Sequence, residues 1–110
     1  MNAETALTRN IRLALNRTGR VRIVRNNTGV DTAAGIRYGL GVGGADLVGI
    51  LQNSGRVVAL ECKMPKARGA TPEQLAWLSA VRRFGGFACV VRSIEDALAA
   101  IDRAERGACE

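Results

Sequence analysis

The chain has 110 residues, with 16 Lys or Arg against 10 Asp or Glu and no His, a net charge of +6 at neutral pH. That length suits one core, so a single domain over residues 1–110 is expected, and a dimer would help to bury surface in so small a unit. Without His only rare ligand sets remain for zinc, no run approaches the ~20 apolar residues needed to span a bilayer, and an Arg-rich excess of positive charge favours an acidic polymer as partner.

Asn2 fits the cap of a helix over Ala3–Arg17, with Leu7, Ile11, Ala14 and Leu15 as its apolar stripe and Gly19 as its stop. Glu4 is in line with Leu7 and Ile11, and a first-turn Glu is already favoured by the helix dipole. Arg9, Arg12 and Arg17 occupy other faces, where they could follow a nucleic-acid backbone. Arg20–Arg25, with Val21 and Ile23 on one side, predicts a first strand that Asn26-Asn27-Thr28-Gly29 ends.

From Val30 to Gly44 the chain is Gly-rich and aperiodic, which predicts a long loop with a short strand near Gly35–Tyr38. Gly39, Gly41, Gly43 and Gly44 do not form GxGxxG and no Lys is followed by Ser or Thr, so no nucleotide cofactor is expected. Arg25, Arg37 and Tyr38 are candidates for contacts to a phosphate backbone or a base, each weighed against an ordinary surface role.

Asp46–Leu51 and Arg56–Lys63 are two runs rich in Val, Ile and Leu, separated by the turn-forming Gln52-Asn53-Ser54-Gly55. If Leu51 pairs with Arg56 across that loop, Asp46 falls opposite Glu61 on one face of a hairpin. Lys63 points to the same face, Leu60 and Cys62 to the other. Carboxylates opposite each other in a sheet have Cβ atoms about 5 Å apart and repel. Lys63 can neutralise one acid, whereas two acids with open oxygens suit a hard divalent cation such as Mg²⁺, completed by substrate phosphate.

Lys66 and Arg68 sit in a basic loop after Lys63, where they are suited to phosphate or simply to solvent. Thr71-Pro72-Glu73-Gln74 opens a second helix as a capping box, with Leu75, Leu78 and Val81 as its apolar face extended by Trp77 and Phe84. Gly85-Gly86 releases the chain into a buried strand over Phe87–Val91, and Ser93 caps a last helix over Ile94–Arg106. Cys62 and Cys89 are expected as buried thiols in a reducing cytoplasm, because the three cysteines are odd in number and lack CxxC spacing. No apolar signal core follows Met1, which also suggests the cytosol. The order predicts an α/β fold with a mixed central β-sheet flanked by helices, α-β-β-β-α-β-α.

Ala45-Asp46 followed by Glu61-Cys62-Lys63 resembles the PD-(D/E)XK nuclease motif, with Ala45 where that motif has Pro. The wider pattern resembles the VRR-NUC family in its short stand-alone form from phages and bacteria. It comprises Glu4, Arg25-Asn26-Asn27 with Gly29, Arg37-Tyr38-Gly39, Gly43-Gly44-Ala45-Asp46, Thr71-Pro72-Glu73-Gln74 and Gly85-Gly86. The resemblance implies a restriction-endonuclease-like core and a homodimeric, structure-selective endonuclease acting on branched or four-way (Holliday) junction DNA. It would leave 5′-phosphate and 3′-hydroxyl ends, in the bacterial cytoplasm or the phage-infected cell.

The resemblance also implies that Asp46, Glu61 and the Cys62 backbone carbonyl hold Mg²⁺, with Mn²⁺ as substitute, and that Glu4 joins them directly or through water. Lys63 would orient the attacking water and neutralise the oxyanion, and Gln74 would orient water or phosphate. Capping accounts for Gln74 equally well. The rival expectation is a non-catalytic basic DNA-binding module.

Overall fold

The computed structural model describes residues 1–110, the side chain of Tyr38 excepted. In chain order the elements are α1 (Ala3–Arg17), β1 (Val21–Arg25), β2 (Gly29–Asp31), β3 (Ile36–Tyr38), β4 (Leu47–Leu51), β5 (Val57–Cys62), α2 (Pro72–Arg83), β6 (Phe87–Val91) and α3 (Ile94–Glu105). Four strands form one mixed sheet in the order β1-β4-β5-β6, antiparallel except for the parallel β5–β6 pair, while β2 and β3 form a separate hairpin. The fold is therefore α/β with a mixed central sheet flanked by helices, as expected.

Helices cover both faces of the sheet. Val58, Leu60 and Cys62 of β5 join Leu47, Leu51, Phe87 and Val91 in a core closed by Ile11 and Leu15 of α1 and by Ala97, Ala100, Ile101 and Ala104 of α3. Full burial of a Leu or Ile contributes roughly 1.5–3 kcal/mol, so this layer dominates the hydrophobic stabilisation. Ala59 and Ala88 face the opposite way and meet Leu78 of α2, with Val48, Trp77, Val81 and Val90 around them. Alternation along β5 thus puts Glu61 on the α2 side of the sheet.

The helix ends follow the local chemistry. Asn2 accepts from the Thr5 N–H at 2.8 Å, Thr71 and Gln74 close a complete capping box, and Ser93 accepts from the Asp96 N–H. The apolar face of α2 differs from expectation. Leu78 is buried and Trp77 and Val81 half-buried, but Leu75 is 51% and Phe84 89% exposed. Positions 74, 77, 78 and 81 share one helical stripe facing the sheet, whereas Leu75 lies about 100° around the helix and Phe84 is its C-terminal cap.

Candidate active site

The β4–β5 hairpin has the expected register. Leu47 pairs with Leu60, Val48 with Ala59, Gly49 with Val58 and Ile50 with Val57, and the Leu51 N–H donates to the Arg56 carbonyl at 2.9 Å. Continued by one pair, this brings Asp46, in the bend before β4, opposite Glu61 near the end of β5.

Asp46 is held from two directions. Its Oδ2 accepts from the Cys62 backbone N–H at 2.8 Å, and its own carbonyl accepts from the Asn26 N–H at 2.8 Å. The Asn26 side chain is a junction for this end of the sheet. Its Nδ2 donates to the Ala45 carbonyl and to Thr28 Oγ1, both at 3.1 Å, and its Oδ1 accepts from the Leu40 N–H at 3.2 Å. The approach to Asp46 is close-packed as well. A Cβ at Gly43 would come within 2.6 Å of the Glu73 carbonyl oxygen, and Gly43 has φ +81°, a region that glycine tolerates. The Trp77 indole N–H donates to the Leu40 carbonyl at 3.1 Å, fastening the same loop to α2.

Glu61 is 2% exposed, and its Oε2 is buried without a hydrogen-bond partner among the described residues. Burial, followed by a hydrogen bond with Asp46 and then the Asp46 charge, pushes its carboxyl up to about 9; Lys63 opposes the rise, and Glu4 adds to it least. A neutral Glu61 can share its proton with Asp46, whereas an ionised pair leaves a buried oxygen without a donor. Lys63, half-buried, donates its backbone N–H to the Val91 carbonyl at 3.0 Å, which ties it to β6.

Cys62 lends only its backbone to this side. Its side chain is buried in the α1–α3 core, where burial above all, and then the Asp46 charge, raises the thiol to about 12. It is a protonated packing group rather than a thiolate ligand. Cys89 is also a buried free thiol, and Cys109 is free and exposed.

Glu4 is exposed in the first turn of α1, close enough for its charge to reach Glu61 and Cys62. It does not complete a three-acid cluster: among the described residues no group of three His, Cys, Asp or Glu side chains is arranged to hold a metal. The donor set is therefore the Asp46 and Glu61 carboxylates, with the Cys62 backbone adjacent. Two facing carboxylates, one with an unpaired buried oxygen, fit a hard divalent cation, which would supply the compensation that the protein leaves out.

Arg25, Asn26, Asn27, Thr28, Gly44 and Asp46 line an open polar hollow of about 480 Å³ that gives Asp46 access to solvent. Arg25 thus joins the site. Arg37, exposed on β3, lines a different and smaller hollow with Thr28, Gly29 and Val42, and the Tyr38 side chain lies outside the described residues. Lys66 and Arg68 are exposed in the loop after β5. Gln74 is occupied at the cap, where its Oε1 accepts from the Thr71 N–H at 2.8 Å.

Two positioning residues carried little signal in the sequence. Asn26 belongs to a segment that looks like a simple strand terminator, and its role depends on partners 14 and 19 residues away. Arg92 reads as a lone charge after an apolar strand, yet its Nη1 donates to the Met64 and Ala67 carbonyls at 2.7 and 3.0 Å and so braces the loop that carries Lys66.

No family model matches this chain, and no curated protein shows significant similarity to it. Among the described residues no helix is long and apolar enough to cross a membrane.

Proposed function

We propose that the protein is a metal-dependent DNA endonuclease of the VRR-NUC type, hydrolysing phosphodiester bonds with Asp46, Glu61 and Lys63 as its catalytic group. The observation that carries this reading is the buried Glu61 carboxyl, with one oxygen unpaired, beside Asp46, which itself lines a polar hollow. A basic binding module gives no reason to bury an acid beside a second acid, since both oppose phosphate.

Asp46, Glu61 and the Cys62 carbonyl would hold Mg²⁺ or Mn²⁺, which when bound supplies Lewis-acid polarisation of a phosphate oxygen and a more acidic water. The Cys62 N–H fixes one Asp46 oxygen, and Asn26 fixes the backbone that carries it, so the carboxylate is oriented before substrate arrives. Lys63 directs positive charge toward the developing oxyanion and orients the attacking water. Glu4, at the rim, adds negative charge and reaches the site through water. The cap bond uses only the Gln74 Oε1, so both N–H donors of its side-chain amide stay available to a phosphate or water.

Arg25 contacts the substrate backbone within the hollow, and Lys66 and Arg68 extend that contact from the loop that Arg92 braces. Arg37, in its separate hollow, serves a more distant part of the DNA, and Tyr38 is kept as a candidate contact from the sequence. One chain has one such site, so cutting both strands of a branched or four-way junction calls for a two-fold homodimer. The bacterial or phage-infected cytoplasm would be its setting.

The test is to incubate the protein with end-labelled single-stranded, duplex, flap and four-way DNA in Mg²⁺, Mn²⁺ or chelator. Cleavage of the branched forms with either metal, lost in chelator and in Asp46→Ala, is expected. Binding without cleavage in every metal condition would replace this reading with the non-catalytic module.

A further inference from the structure

A second hollow, of about 420 Å³, lies between α1 and the end of β1, and Arg9, Arg12, Thr5 and Arg25 are among the residues that line it. Arg25 also lines the Asp46 hollow, so the two depressions meet at one guanidinium. This follows from chain direction. The end of β1 is the Asp46 end of the sheet, and α1 runs back along β1 from the Asn16–Ile23 hydrogen bonds, so Arg9 and Arg12 come to line one hollow with Arg25.

None of the three is ion-paired. Among the described residues the ion pairs join Arg20 to Asp102 and Glu105, and Arg103 to Glu110. Arg20 and Arg103 are thus neutralised on the α3 side, whereas Arg9, Arg12 and Arg25 leave uncompensated guanidinium groups around two hollows that meet at Arg25. Glu4, the one acid of α1, is not among the residues that line this hollow, and its charge reaches Glu61.

We propose that the groove between α1 and β1 carries the phosphate backbone of the bound DNA away from the cleavage site, with Arg25 at the junction and Arg9 and Arg12 on the next phosphates. This rests on the nuclease reading for the position of the scissile phosphate, but the groove binds backbone whether or not hydrolysis occurs. Its contacts are to phosphate, so it adds affinity and register without sequence preference.

The experiment is anisotropy titration of labelled duplex and four-way DNA in chelator over a range of KCl concentrations, with Mn²⁺ binding measured in parallel on the same proteins. Each phosphate contact contributes about 0.9 to the slope of log affinity against log salt on duplex DNA. Arg9→Ala/Arg12→Ala should therefore lower the slope by about two and weaken binding roughly tenfold at moderate salt. Arg9→Lys/Arg12→Lys, which keeps charge and guards against a folding artefact, should retain the slope, as should Arg83→Ala/Arg106→Ala elsewhere on the surface.

An unchanged slope in the Arg9/Arg12 alanine pair, or an equal loss in the Arg83/Arg106 pair, overturns the proposal. Loss of the slope in a protein that binds no Mn²⁺ supports the groove while removing the hydrolytic reading. An unchanged slope in a protein whose Mn²⁺ binding depends on Asp46 does the reverse.

Discussion

Replacing Glu61 by Gln probes the energy stored in the site. Burial and Asp46 push the Glu61 carboxyl from its ordinary 4.5 up to about 9. Because the folded value is the higher one, the folded chain keeps a proton that the unfolded chain has released between those two pH values. Stability from this group is therefore fully present below about pH 4.5 and falls as pH rises toward 9. Neutral pH lies two and a half pH units above the ordinary value, and at about 1.4 kcal/mol per pH unit the group costs about 3 kcal/mol there.

Gln has no proton to lose and keeps the shape of the protonated acid. In chelator at pH 7, Glu61→Gln should exceed the parent by up to about 3 kcal/mol, a rise in melting temperature on the order of 10 °C. The gap should close toward pH 5. Circular-dichroism melts from pH 5 to 8.5 provide the assay, with Mn²⁺ added in a second series, where metal should stabilise the parent and leave Glu61→Gln nearly unmoved. A variant less stable than the parent at pH 7, or one with the same pH dependence, would refute the reasoning.

Asn26→Ala removes side-chain bonds to Ala45, Thr28 and Leu40, so it should cost about 2 kcal/mol in chemical denaturation and weaken Mn²⁺ binding as Asp46 loses its support. Retained metal affinity would show that Asn26 only closes the loop. Lys63→Ala should leave melting temperature and DNA binding unchanged while cutting single-turnover cleavage by about 100-fold or more; unchanged turnover contradicts its role. Gln74→Glu preserves the capping box but exchanges an amide donor for a negative charge. Melting should hold while cleavage falls, and cleavage at the parental rate would make Gln74 a helix cap alone.

The hairpin that carries the candidate site was legible because a four-residue turn of Gln, Asn, Ser and Gly fixes where two apolar runs meet, and the register follows. Capping chemistry likewise set the helix starts at Asn2, Thr71 and Ser93. The β2–β3 pair was legible only in part. Three-residue strands are too short to show a period, so the short strand near Gly35 was expected but its partner at Gly29–Asp31 was not.

The outward Leu75 and Phe84 mark the limit of composition-based reading: an apolar residue signals a buried stripe only when its angle around the helix agrees. What stayed hidden was tertiary. The hold of Asn26 on Ala45 and of Arg92 on Met64 joins segments that no local pattern connects. The elevated Glu61 carboxyl likewise comes from burial against α2 and β6 together with the neighbouring acid.

The most direct measurement is calorimetric titration of the protein with Mn²⁺ at pH 8, repeated in buffers of different ionisation enthalpy, for the parent and for Asp46→Ala. If Asp46 and Glu61 form one cation site, the parent binds Mn²⁺ saturably and releases a proton from Glu61 as it does so, and Asp46→Ala does neither. Equal binding by both proteins, or none by the parent, would contradict the paired-carboxylate site from which the nuclease reading is built.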